Sequence, residues 1–152
     1  MPERLRPRQS ESAMSETLPS FRHPMRVRYS EVDYQGIVYV AHYVTYFDHG
    51  IHEFFRALPY DYTAIRRSSG TDFHTVRTLV EYRRPLRFDE RFAVAVGLAR
   101  VGNSSLTFAL AALAEGEREP RATGEMVWVH ADQATMRAAP LPDALRALLP
   151  QP

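Results

Sequence analysis

Between Met25 and Tyr29 the apolar residues Met25, Val27 and Tyr29 alternate with Arg26 and Arg28, the two-residue period of a half-buried β-strand. After a short polar loop from Asp33 to Gly36 the period changes. Tyr43, Phe47, Ile51, Phe54, Phe55 and Leu58 recur at helical spacing, with Thr45, Asp48, His52 and Arg56 on other faces. The spacing predicts one long helix over roughly residues 40 to 57, ended by Pro59. Tyr60 to Thr71, with Ser68, Ser69 and Gly70, reads as a connector, part of it a short helix.

The rest is strand-like. Val76, Thr78, Val80 and Tyr82 alternate in one segment, and Phe92, Val94, Val96 and Leu98 in the next, with a turn at Arg87 to Glu90. Leu106, Phe108, Leu110 and Ala112 follow the turn Gly102-Asn103-Ser104-Ser105, and Thr123, Glu125, Val127 and Val129 follow the turn from Glu115 to Pro120. Strands this close in sequence are expected to pair antiparallel. Pro142 and Asp143 open a short terminal helix, Ala144 to Leu149. One helix and a run of strands bury each other as an α+β domain, a sheet of about five strands wrapping the helix. On this reading Trp128, Met126, Leu79 and the alanines 93, 95, 109 and 111 lie on the opposite sheet face, which another subunit would cover.

Residues 1 to 20 are polar, punctuated by proline and without period. They bury too little to offset the entropy of ordering and are expected to form a disordered tail before a single domain spanning residues 21 to 152, with Met14 an alternative start. A chain of 152 residues, 45% hydrophobic, supports one core of ordinary size. The net charge of +1 gives no field that would draw nucleic acid or an anionic membrane. With no cysteine and no lysine, thiolate chemistry, Schiff bases and lysine-dependent phosphate loops are excluded. No apolar run reaches the roughly 18 residues needed to span a bilayer and no secretion signal is present, so a cytoplasmic location is expected.

The candidate chemistry sits where the first strand gives way to the long helix. Asp33 is a ready base or nucleophile, and the N–H groups of a helix start carry partial positive charge that can receive an oxyanion. That pairing suits acyl transfer, by activation of water or by direct attack through a mixed anhydride, and the residues leave both routes open. The same aspartate would also serve as an N-cap or turn residue. His42, His49 and His52 raise the question of a metal, but H-G-I-H-E matches neither zinc-protease pattern, so no metal is expected. His49 and His52 are placed on a solvated or subunit-facing side, and Phe47, Phe54 and Phe55 in the core.

The segment R-Y-S-E-V-D-Y-Q-G-I-V-Y-V-A-H-Y-V-T-Y-F-D resembles the signature of the 4-hydroxybenzoyl-CoA thioesterase family of hotdog-fold proteins. V-E-Y-R-R-P-L-R-F-D-E, G-N-S-S-L-T-F and A-T-G-E-M-V-W-V-H-A-D follow in the family's order, so the resemblance covers about residues 24 to 149. It implies a hotdog fold, dimers or tetramers, and hydrolysis of an acyl-CoA thioester at a subunit interface without a cofactor. By resemblance Asp33 is the catalytic carboxylate, Gly36 lets the chain turn closely into the helix, and Val40 offers its N–H to the thioester carbonyl. A large subgroup has histidine at the Val40 position and asparagine at the His42 position. Here the histidine stands two residues on, so His42 is a further catalytic candidate while the backbone donor at Val40 is kept. Tyr39, Tyr43, Ser104 and Ser105 are candidate substrate contacts, and Arg83, Arg84 and Arg100 are candidates for the coenzyme A phosphates. No H-x-x-x-x-P-G-x-x-x-x-E pattern of acyl-chain hydratases occurs. A non-catalytic acyl-CoA or acyl-carrier-protein binding module is the competing reading.

Overall fold

The computed structural model describes residues 18–152. A long helix, α1 (His42–Ala57), lies across a five-stranded antiparallel sheet formed by β1 (Phe21–Arg26), β2 (Thr71–Tyr82), β3 (Arg91–Val101), β4 (Ser105–Ala114) and β5 (Ala122–Asp132). Two short helices, α2 (Tyr62–Ser69) and α3 (Asp143–Leu148), and a 3-10 turn at Tyr29–Glu31 complete it. Expected α+β architecture and observed fold agree: this is a hotdog, with α1 as the filling.

The apolar stripe of α1 explains its placement. Tyr43, Tyr46, Phe47, Gly50, Ile51, Phe54 and Phe55 are all buried against the sheet, and side chains of this size contribute about 1.5–3 kcal/mol each when fully removed from water. Two glycines let helix and sheet approach closely. A Cβ on Gly50 would meet Val94 Cγ1 at 2.5 Å, and one on Gly124 would meet the Phe47 ring at 2.5 Å. After Leu58 turns extended, α2 begins with the Asp61 carboxylate accepting the Ala64 N–H at 2.9 Å and ends at left-handed Gly70 (φ 69°).

Several local expectations shift. The first strand runs over Phe21–Arg26, earlier than the alternation from Met25 to Tyr29 implied, and Tyr29 is 84% exposed. The reason lies in Glu31, whose carboxylate accepts the Arg28 N–H at 2.8 Å and coils the chain into a 3-10 turn just where the strand would continue. The helix begins at His42, close to the expected 40.

Strand order is β1-β3-β4-β5-β2. The pairs β3–β4 and β4–β5 are sequential and antiparallel as expected, but β2 and β3 are not neighbours: β2 pairs with β5 at one edge and β3 with β1 near the other. The segment between β2 and β3 must cross the sheet end, and it does so over buried Leu86. In β5 the inward face is the opposite of the one expected. Gly124, Met126, Trp128 and His130 are buried, and Trp128 stacks on Phe55 at 5.8 Å and meets Phe108 edge-on at 5.3 Å. Strict alternation defines two faces but not which one meets the helix; the register Leu106↔Trp128 and Phe108↔Met126 decides it.

The outer face is apolar at Ala95, Ala111 and Leu113, and Leu18 packs there while Pro19 lies over Gly97. Residues 18–20, the end of the expected tail, are therefore seen on the sheet, and the rest of that tail lies outside the described residues. Among the described residues no helix is long and apolar enough to cross a membrane.

Candidate active site

The loop carrying Asp33 is a tight hairpin rather than a direct lead into the helix. Gly36 N–H donates to the Asp33 carbonyl and Asp33 N–H to the Ile37 carbonyl, both at 2.9 Å, and Val32 pairs with Val38. Gly36 takes the left-handed conformation (φ 74°) that closes such a turn, which costs about 1–2 kcal/mol in any residue carrying a Cβ. The Asp33 side chain is half-buried, and its Oδ1 accepts the Gln35 N–H at 2.8 Å. It is thus held by an Asx-type turn, while the N-cap position of α1 belongs to Ala41. Asp33 does not cap the helix, and Gly36 shapes the turn five residues before it.

From Ile37 onward the hairpin's second arm climbs into α1. Val38 N–H donates to the Leu86 carbonyl at 2.8 Å and Tyr39 N–H to the Glu31 carbonyl at 2.9 Å. The next two N–H groups, of Val40 just before the N-cap and of Ala41 at it, have no acceptor among the described residues. Their peptide planes are nonetheless pinned. The Tyr39 carbonyl, which shares a plane with the Val40 N–H, accepts the His42 N–H at 2.9 Å. The Val40 carbonyl, in plane with the Ala41 N–H, accepts the Tyr43 N–H at 3.3 Å and the Tyr82 hydroxyl at 3.0 Å. Val40 is 50% exposed and Ala41 is exposed too, so two backbone donors without a protein acceptor stand at the surface of the helix start.

A layer of tyrosines supports this entry. Tyr46 Oη donates to Glu31 Oε2 at 2.7 Å, and Tyr43 Oη accepts the Leu86 N–H at 3.0 Å. Burial, joined by the Glu31 carboxylate, holds the Tyr46 phenol far above its usual range, and burial also raises Tyr43 and Tyr82. All three remain protonated at neutral pH. Glu31, Tyr46, Tyr82 and Leu86 were not singled out from the sequence. Tyr82 carried a weak signal, being the last member of an alternating strand, while Glu31 only acquires its meaning when α1 folds back over it.

The remaining candidates divide by position. His42 is the first residue of α1, half-buried, with its ring edge-on to exposed Tyr39 at 5.9 Å. Tyr43 is buried, so it supports the site from beneath. Arg83 and Arg84 follow β2 at the same end, where both N–H groups donate to the Arg121 carbonyl. Arg84 Nη2 pairs with Glu117 at 2.9 Å, within a cluster in which Arg121 also binds Glu117 and Glu90. Arg83 has no ion-pair partner among the described residues.

Ser104, Ser105 and Arg100 lie at the other end of the sheet. Ser105 is opposite Val129, whereas the helix start is beside Tyr82, which is opposite Ala122. Seven residues of β5 separate these rows, about 23 Å at strand rise. Within one chain the structure does not bring the serine turn to Asp33.

The sequence profile of the Thioesterase-like superfamily matches residues 27–149. An acyl-CoA thioester hydrolase of Escherichia coli, YbgC, is 28% identical over 127 residues, spanning 84% of this chain and 93% of that protein. The crystal structure of a hypothetical protein of Aquifex aeolicus superposes with a TM-score of 0.77 at 25% identity, covering 86% of this chain and 99% of that one. A 1,4-dihydroxy-2-naphthoyl-CoA thioesterase from Synechocystis shares the fold with a TM-score of 0.79 at 13% identity, over 85% and 94% of the two chains.

Proposed function

The chain belongs to the Thioesterase-like superfamily and is a thioester hydrolase; from that premise we propose that its substrate is an acyl-coenzyme A, cleaved to the free acid and coenzyme A. One observation carries the reading: the Val40 and Ala41 N–H groups, without a protein acceptor and on peptide planes whose carbonyls are hydrogen-bonded, at the end of the hairpin that carries Asp33. Asp33 takes a proton from water as the oxygen attacks the thioester carbon, and the carbonyl oxygen gains the negative charge that the two N–H groups receive. Collapse of the tetrahedral intermediate breaks the carbon–sulfur bond, and coenzyme A leaves as a thiolate that takes a proton from solvent. A thiolate is a good leaving group, so no side-chain acid is needed at position 40, where this chain has valine. Direct attack by Asp33 uses the same donors and gives an anhydride that water then opens. No cofactor enters either route.

The two-ended arrangement of candidates supports a site shared between two copies. A two-fold axis pairing β2 edges antiparallel reverses the partner's sheet ends, so the partner's serine turn comes toward this chain's Asp33 hairpin. The exposed Val76 of the β2 edge, 60% accessible, is suited to being covered there. Arg83 of the one chain and the loop of the other then flank the entrance for the nucleotide phosphates.

Thiol release from a panel of short-chain, medium-chain and aromatic acyl-CoAs tests the proposal. Asp33→Asn should keep the fold and lose on the order of a thousandfold in kcat. Activity like wild type in that variant would remove Asp33 from the chemistry, and binding of acyl-CoA with no thiol released over hours would overturn the hydrolytic reading of this substrate class.

A further inference from the structure

Far along α1 from its N-terminus lies a group of side chains that the hydrolytic site does not use. His23 of β1, with His49 and Glu53 of α1, presents three ligand atoms that all lie within 4.8 Å of one another. His49 Nε2 stands 3.8 Å from Glu53 Oε1, and the rings of His23 and His49 are 5.1 Å apart. The helical pair is separated by four residues, which puts both on one face. His23 occupies an inward position of the edge strand, opposite Val94, and the strand is anchored to the same helix by Phe21 packing edge-on against Phe54 at 5.6 Å. The trio thus sits on a paired strand and a helix that pack against each other.

We propose that His23, His49 and Glu53 bind a divalent transition metal of the zinc class. Two imidazoles and a carboxylate form a ligand set that zinc accepts with water as fourth ligand. A tetrahedral ion with bonds of about 2.0–2.1 Å wants its ligand atoms about 3.3 Å apart, so separations of up to 4.8 Å must close by about 1.5 Å at most. The His49 side chain is 47% exposed and can turn toward the other two, while that of Glu53 is 20% exposed and His23 is partly buried. Arg56 already pairs with Glu53 Oε1, and the second carboxylate oxygen lets Glu53 hold a cation while keeping that partner. The ion would staple the edge strand β1 to α1. His49 is seven residues from His42, about 10 Å along the helix, so the site stands apart from the hydrolytic one and does not rest on that reading.

Titration of zinc into the full-length, chelator-treated protein should give saturable binding of one ion per chain. Thermal unfolding at a hundredfold excess over Kd should rise by roughly 5–10 °C. His23→Ala and His49→Ala, confirmed as folded by circular dichroism, should each weaken binding at least tenfold and abolish the thermal shift, with thiol-releasing activity unchanged. His52→Ala, on the neighbouring face, should bind as wild type does. Cobalt bound to the wild-type chain should show the intense visible absorption of tetrahedral coordination, a test that needs no variant. Absence of saturable zinc binding, or binding unaltered in both His23→Ala and His49→Ala, overturns the proposal.

Discussion

At the scale of single residues the site depends on groups that aim other groups. The Tyr82 hydroxyl and the Tyr43 N–H together hold the Val40 carbonyl and with it the peptide plane of the Ala41 N–H. A single neutral hydrogen bond is worth about 0.5–1.5 kcal/mol, so Tyr82→Phe is expected to lower kcat by about 2- to 13-fold, leaving KM near wild type. Steady-state kinetics decides it: a change in KM alone would make Tyr82 a binding residue, and no change would remove it from the support of the helix start. Asp33 and Gly36 were legible as a pair because a carboxylate and a glycine at that spacing define a turn before a helix. Glu31 was not, since its two partners, the Arg28 N–H and the Tyr46 hydroxyl, come from different elements and meet only after folding.

At the scale of elements the governing constraint is the distance between α1 and the sheet. Phe47 is fully buried and its ring lies where a Gly124 side chain would be, with the Leu79 carbonyl 3.1 Å from the same point. Phe47 is enclosed by the core, and the Leu79 carbonyl belongs to the β2 backbone paired with β5. Gly124→Ala should therefore destabilise the fold by about 1–3 kcal/mol, lowering Tm by about 2–4 °C for each kcal/mol in a chain of this size. Differential scanning fluorimetry checks this, and an unchanged Tm would mean that helix and sheet separate more easily than the packing implies. The helix itself was legible because six apolar residues kept a 3.6-residue period over its length. The inward face of β5 was not, because its alternate residues Met126 and Trp128 on one side and Val127 and Val129 on the other are both apolar, and only pairing with β4 separates them.

For the whole molecule the question is how many chains make one site. With the hairpin at one sheet end and the serine turn at the other, a composite site requires two copies. An Asp33→Asn chain mixed with a chain in which Arg100, Ser104 and Ser105 are all alanine should recover activity, since each heterodimer contains one site with both parts intact. Random pairing in equal amounts predicts about one quarter of wild-type activity. Activity no higher than the sum of the two separate variants would place the complete site within one chain.

Amphipathic period and turn residues by themselves determined an α+β architecture with one long helix and a sheet, and they located the carboxylate and the glycine of the hairpin. These are local properties, carried by neighbours within a few residues in sequence. Tertiary structure alone decided that β2 crosses to the far edge, that Trp128 faces inward, and that Glu31, Tyr82 and Leu86 brace the helix start. It also brought His23 to within reach of His49 across 26 positions. Each of these depends on strand register and on which sheet face the helix covers, and those are set by burying the whole apolar surface at once rather than by any local pattern.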